Sequence, residues 1–290
     1  MSSFLQNHKR QPKLFIDLPS KGKWYDESVL DNNQYVQIPV YGMNAMDEIM
    51  FKTPDALFSG EATARVINSC IPTILDPWKL VGYDIDYILI ALRIATYGDA
   101  LPLTSTCPKC QNTQNNELSL QNMLGGFANT TTEYSFTLGE LTFNLRPLSY
   151  KQTTDYSIEN YTYERQLAQI KNIDPTDENA KELEAQVQAI YNQSSLMNMN
   201  MCVSYIESIA NSEGEVENDN SIILDFIKNN DSEFYSELKA GIHQLVRNWD
   251  MPSLQVQCDS EECNNSYKAT LDMDYSNFFG ARSLRSRNLI

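Results

Sequence analysis

The sequence predicts an α+β protein, mainly helical, carrying a small antiparallel zinc-ribbon-like β module formed by two distant cysteine knuckles. Three observations carry that expectation. Cys107-Pro108-Lys109-Cys110 and the pair Cys258 and Cys263 lie about half a chain apart, each with ligand-like spacing. Segments of helical periodicity fill most of the sequence before and between them. Alternating runs flank each pair, as strands entering and leaving a knuckle require.

Composition narrows the function classes. The chain has 290 residues, 42% of them hydrophobic, enough for two modest domains or one core with insertions. A net charge of -16 disfavours nucleic acid, because a phosphate backbone selects basic surfaces. Met1 to Lys13 is polar and basic, unlike a secretory leader, and no run approaches the roughly 20 apolar residues of a membrane span. A reducing compartment is the expectation, and there closely spaced cysteines favour metal over disulfides.

Taken in order, the chain begins with a polar stretch, 1–13, expected to be a flexible arm. Leu14 to Leu18 reads as extended, Pro19 to Gly22 as a turn, and Tyr35 to Val40 as a strand. Asn44 is placed to cap a helix, with Asp47 and Glu48 in its positive first turn. Short helices follow at Asp55–Phe58 and Glu61–Cys70. Asp84 opens the strongest helix, with Ile85, Ile88, Leu89, Leu92 and Ala95 along one stripe and Gly98 as its C-cap. Strands flank Cys107 and Cys110. Gly125-Gly126 reads as a loop, and Gly139-Glu140 as a tight turn between two alternating strands, 134–138 and 141–145.

From Ser149 the period is helical again. Asp174-Pro175-Thr176-Asp177 divides the region into an antiparallel, protruding helical pair, with Ile158, Tyr161 and Arg165 sharing one side of the first. Met197 to Ile209 reads as a further apolar helix, Glu213 to Asn220 as a solvated acidic loop or hairpin tip, and 221–228 and 231–249 as two helices. Leu254 to Gln257 and Tyr267 to Leu271 are strands around the second cysteine pair. The expected division is a 1–13 arm, a helical domain at 14–100, a β module of 101–148 with 250–275, a helical insertion at 149–249, and a basic tail at 276–290.

Four thiolates from two such turns make a closed tetrahedral shell, so Cys107, Cys110, Cys258 and Cys263 are the candidate ligands of a structural Zn2+. The second pair has four intervening residues and is the less specific of the two. Loose thiols or a redox pair are the alternatives, although Asn112 to Asn116 is a poor helix start for a thioredoxin-like motif. Cys70 and Cys202 fall on apolar helix faces and read as buried small hydrophobes.

No catalytic constellation stands out. His8 lies in the arm and His243 on the polar edge of a helix, so no Ser-His or Cys-His system has a plausible setting. No phosphate-binding glycine loop and no His-Glu-x-x-His occurs. The expectation is a protein without enzymatic activity and without a small-molecule substrate.

Several short runs share an order and spacing with a known family. They are Leu18-Pro19-Ser20-Lys21-Gly22 with Tyr25, Ile38-Pro39-Val40 followed by Met46-Asp47-Glu48, and Lys52 to Gly60. Val66 to Ile71, Asp84 to Tyr87, Leu92 to Gly98 and Cys107 to Cys110 extend the series. The N-terminal 40% or so of the chain, with the hairpin ending at Arg146-Pro147 and the later cysteine pair, resembles the baseplate hub proteins of T-even-like contractile-tailed phages. The resemblance implies a structural or assembly role in a phage tail, other baseplate and tail proteins as partners, a place in the virion, assembly in the host cytoplasm, and no catalysis. It leaves open a hub assembly factor absent from the mature virion, and beside it stands a zinc-ribbon module binding nucleic acid.

Overall fold

The computed structural model describes residues 10–127, 134–173, 180–249, 254–269 and 278–279. They are mixed helix and small antiparallel sheets, an α+β architecture divided into two compact units. One comprises residues 1–130 with 251–290, the other residues 131–250.

In the first unit, β1 (Pro12–Ile16) pairs antiparallel with β2 (Ile38–Tyr41). The second strand starts later than the sequence pattern suggests because Gln37 takes φ 52° and donates its amide to Asp17 at 2.7 Å. Short helices α1 (Ala45–Met50) and α2 (Pro54–Phe58) precede α3 (Glu61–Cys70) and α4 (Gly82–Tyr97). Asn44 caps α1 in a reciprocal capping box with Asp47, as expected from its position. The core gathers Val66, Ile67 and Cys70 from α3 with Ile85, Ile88, Leu89 and Leu92 from α4, all buried. Gly42 permits the close approach of the chain leaving β2, since a Cβ there would lie 2.9 Å from the carbonyl oxygen of Ala95.

Asp84 corrects the expectation of a simple helix opener. It sits inside the first turn of α4, fully buried, accepting from the Ser20 amide at 3.1 Å and the Tyr25 hydroxyl at 2.6 Å. The same hydroxyl accepts from the Val81 amide at 2.9 Å. Burial pushes the Asp84 carboxyl up to about 6, against the opposing pull of those two donors. One buried carboxyl thereby joins the Pro19–Gly22 turn to the start of the central helix.

The N-terminal arm also differs. Residues 1–9 lie outside the described residues, but Arg10 donates to the carbonyls of Gly42 and Ser69, both at 2.9 Å, and lies 3.5 Å from the Asp47 carboxylate. The order of 10–13 follows from these contacts and from the pairing of β1. At the other end, Phe278 and Phe279 are buried. Phe279 stacks on Phe51 with centroids 4.5 Å apart, and Phe278 lies under the Arg93 guanidinium. The rest of the expected basic tail, 276–277 and 280–290, lies outside the described residues, as do the expected turn at 174–177 and Pro252.

The second unit holds a sheet of order β5 (Ser135–Leu138), β6 (Leu141–Leu145), β7 (Ile206–Ala210) and β8 (Val216–Glu217). Gly139 takes φ 60° in the β5–β6 turn, as a tight glycine-first hairpin requires. The hairpin that the sequence grouped with the cysteine module is instead hydrogen-bonded to β7, with Phe143 opposite Ile209. Helices α6 (Tyr150–Lys171) and α7 (Ala180–Tyr205) pack antiparallel, with the Tyr156 hydroxyl 2.9 Å from Ser204 Oγ. The apolar run from Met197 is split between the end of α7 and β7, because Ile206 and Ile209 pair with β6. On α6 Tyr156, Ile158, Tyr163, Leu167 and Ile170 are half-buried, whereas Tyr161 and Arg165, expected on one side with Ile158, are exposed. The acidic stretch is a hairpin tip: Asn211 Oδ1 accepts from the amides of Glu213 and Glu215. Helices α8 (Asn220–Lys228) and α9 (Ser232–Val246) complete the unit.

Candidate metal centre

Two antiparallel hairpins in the first unit carry the cysteines. β3 (Ala100–Thr106) pairs with β4 (Thr113–Ser119), leaving Cys107 to Asn112 as the connecting knuckle. β9 (Leu254–Gln257) pairs with β10 (Ser266–Ala269), leaving Cys258 to Asn265 as the second. β4 leads directly into α5 (Leu120–Phe127), which contains Gly125 and Gly126, so the loop expected there is a helix. Its formation follows from burial of Leu120, Met123 and Phe127 on one face, which overrides the two glycines.

The knuckles share a design despite unequal spacing. In the first, the Cys107 amide donates to the Asn112 carbonyl at 2.8 Å, just after Gln111 at φ 60°. In the second, the Cys258 amide donates to the Asn265 carbonyl at 2.9 Å, just after Asn264 at φ 42°. Each therefore closes on a left-handed residue after its last cysteine. The two extra residues of the second pair are absorbed by a turn in which the Cys263 and Asn264 amides both donate to the Ser260 carbonyl.

All four sulfurs lie within 4.8 Å of one another. Cys107 Sγ is 3.9 Å from Cys263 Sγ, and Cys110 Sγ is 3.6 Å from Cys258 Sγ. A zinc–sulfur distance of about 2.3 Å implies tetrahedral edges of about 3.8 Å, close to both separations. A disulfide would need about 2.05 Å, and all four thiols are free. Burial pushes the Cys107 thiol up, yet the amides of Cys110 and Lys109 and the Asn265 side chain outweigh it and bring it down to about 6. The Asn112 amide on Cys110 and the Ser260 amide on Cys258 pull those thiols down as well, but burial and the neighbouring cysteines outweigh them and leave both above the ordinary value. Amides aimed at sulfur favour the thiolate, the form that ligates a cation, and at Cys107 they prevail. The donor set thus fits a soft, four-coordinate metal ion.

Polar contacts hold the two knuckles together. Gln114, buried on β4, donates Nε2 to the Gln257 carbonyl at 2.7 Å and accepts the Asp259 amide on Oε1 at 2.8 Å. Asn112 Nδ2 donates to Asp259 at 2.6 Å, and the Ser105 and Tyr267 hydroxyls meet at 2.7 Å. Cys107, Cys258 and Tyr267 are buried with Val256 and Cys263 against them, while Cys110 is exposed. Sequence reasoning identified the cysteines and missed Gln114, Asn112 and Asp259, which carry no spacing signature.

Among the described residues, the remaining candidates do not form a site. His243 is exposed on α9, and His8 lies outside the described residues. Cys70 and Cys202 are buried singly; burial, then the neighbouring Asp47, pushes the Cys70 thiol up to about 12. Among the described residues, no helix is long and apolar enough to cross a membrane.

Fold and centre together define a two-unit α+β protein with a four-cysteine cluster able to hold a metal ion. The model of the family described as T4 bacteriophage base plate protein matches residues 42–280, and the chain belongs to that family. No curated protein and no solved structure matches it. Membership supports a structural part in the phage tail baseplate, with other tail proteins as partners.

Proposed function

We propose that the protein is a subunit of the baseplate hub, acting through protein–protein contacts, with a structural Zn2+ held by Cys107, Cys110, Cys258 and Cys263. The observation that supports the hub is the N-terminal motif series within a chain whose family match runs over 42–280. Zinc is favoured by four sulfurs within 4.8 Å of one another on two amide-lined knuckles, two of the pairs, at 3.9 and 3.6 Å, close to a tetrahedral edge. When bound, the ion supplies a cross-link between chain segments 148 residues apart and no chemistry of its own on a substrate. The chain's part is to present thiolates, keep the cluster in register through Gln114, and shield it with Tyr267.

Zinc analysis of protein purified without chelator should find about one ion per chain. Cys258→Ser should lose the ion and lower the thermal midpoint; a full-length protein that folds equally well without metal would overturn the assignment. For the hub, mass spectrometry of purified virions and of hub subassemblies should find the chain in both. Its presence in subassemblies alone would instead make it an assembly factor.

A further inference from the structure

The most distinctive unassigned surface lies in the unit of residues 131–250. A groove of about 380 Å³ runs between α8 and the β7–β8 end of the sheet. Leu141, Ile209 and Phe226 line it, and Val216 and Ile222 stand at its mouth 62% and 53% exposed. β8 is the last strand in the order β5–β6–β7–β8, so among the described residues its outer edge pairs with no strand. Exposed aliphatic side chains beside an open strand edge are a docking surface, since water contact there carries a free-energy cost that a partner removes.

Charge selects the partner. Between residues 206 and 228 there are six carboxylates and one lysine. An apolar groove rimmed by that field repels acidic segments and attracts a basic one carrying aliphatic side chains. The sequence holds such a segment: Arg282-Ser283-Leu284-Arg285-Ser286-Arg287-Asn288-Leu289-Ile290 has three arginines, three aliphatic residues and no acidic side chain. We propose that this groove takes the 282–290 segment of a neighbouring copy of the protein, aliphatic side chains entering between Val216 and Ile222 and arginines meeting the glutamates. Groove and segment are different surfaces, so the contact is head-to-tail and builds rings or open series of copies. The inference stands on this groove and on charge; it needs neither the metal nor the hub assignment.

The test uses the full-length chain. A fluorescent peptide of residues 282–290 should bind it, with affinity falling roughly tenfold between about 50 mM and about 500 mM salt. Val216→Asp with Ile222→Asp, both at exposed positions and checked for folding by circular dichroism, should abolish binding. In sedimentation velocity the unmodified chain should associate with rising concentration. Arg282→Glu, Arg285→Glu and Arg287→Glu combined should leave it monomeric. Absence of peptide binding overturns the proposal, as does binding that survives the groove substitutions. A chain that binds the peptide yet stays monomeric at every concentration overturns it as well.

Discussion

Helix α4 buries ten of its 16 residues, among them Ile88, Leu89 and Leu92, whereas α6, with 22 residues, buries only Tyr150. The first is held by tertiary packing. The second is held by local devices: a Ser149–Gln152 capping box, the Lys151–Asp155 pair at 2.5 Å, and a Tyr163–Glu159 hydrogen bond at 2.6 Å. Each such local pair is worth about 0.2–0.5 kcal/mol, while one buried leucine is worth several times that. Similar backbone geometry therefore rests on very different foundations. Stability resides in the α3–α4 core, and α6–α7 presents surface.

The largest expected effect breaks that contrast directly. Leu89→Ala should destabilise the protein by about 3 kcal/mol, and Leu167→Ala on the α6 seam by less than about 1 kcal/mol, measured by urea denaturation. Comparable losses would mean that α6–α7 is as tightly packed as the core.

Asp84 sharpens the same comparison through pH. Its carboxyl is raised to about 6 in the folded chain by burial, so the folded state binds the proton more readily than the unfolded chain does. The stabilisation is fully present below the unfolded value of about 3.9 and is lost as pH rises through about 6, an effect of about 3 kcal/mol. Asp84→Asn should remove this component, seen as a flatter dependence of the unfolding free energy between about pH 4 and pH 7. Identical slopes for both proteins would contradict the role of this carboxyl.

The third test concerns the first turn of α6. Ser149→Ala removes the acceptor for the Gln152 amide and should cost about 1 kcal/mol, with lowered hydrogen-exchange protection confined to the first turns of the helix. A loss spread over α4 would show that the two helices are not independent in stability.

What could be read in advance followed local rules. Asn44, Gly98 and the Gly139 turn depend on neighbouring residues alone, and their roles were legible. The clustering of the four cysteines was legible too, because close pair spacing is a short-range pattern that leaves its mark in sequence. Features made by distant pairing were not. Met197 to Ile209 is apolar at nearly every position that would decide between helix and strand, and only Phe143 opposite Ile209 makes the end of the run a strand. Asp84 looks like any first-turn carboxylate until Ser20 and Tyr25, 64 and 59 residues away, are placed against it. Gln114 sits on a polar strand where nothing marks one glutamine from its neighbours.

That glutamine has a consequence for how the chain can change. Its side-chain amide gives and takes one hydrogen bond each with the backbone around Gln257 and Asp259, reproducing a rung of a sheet ladder between strands with no sequence continuity. The two hairpins therefore recognise one another by a plug that belongs to neither connecting segment. Closing a flexible loop grows costlier only logarithmically, by about 0.6 kcal/mol for each doubling of length. The chain between the hairpins is then free to be lengthened, shortened or exchanged as a cartridge, and new surfaces can be fitted to the same socket without redesigning it.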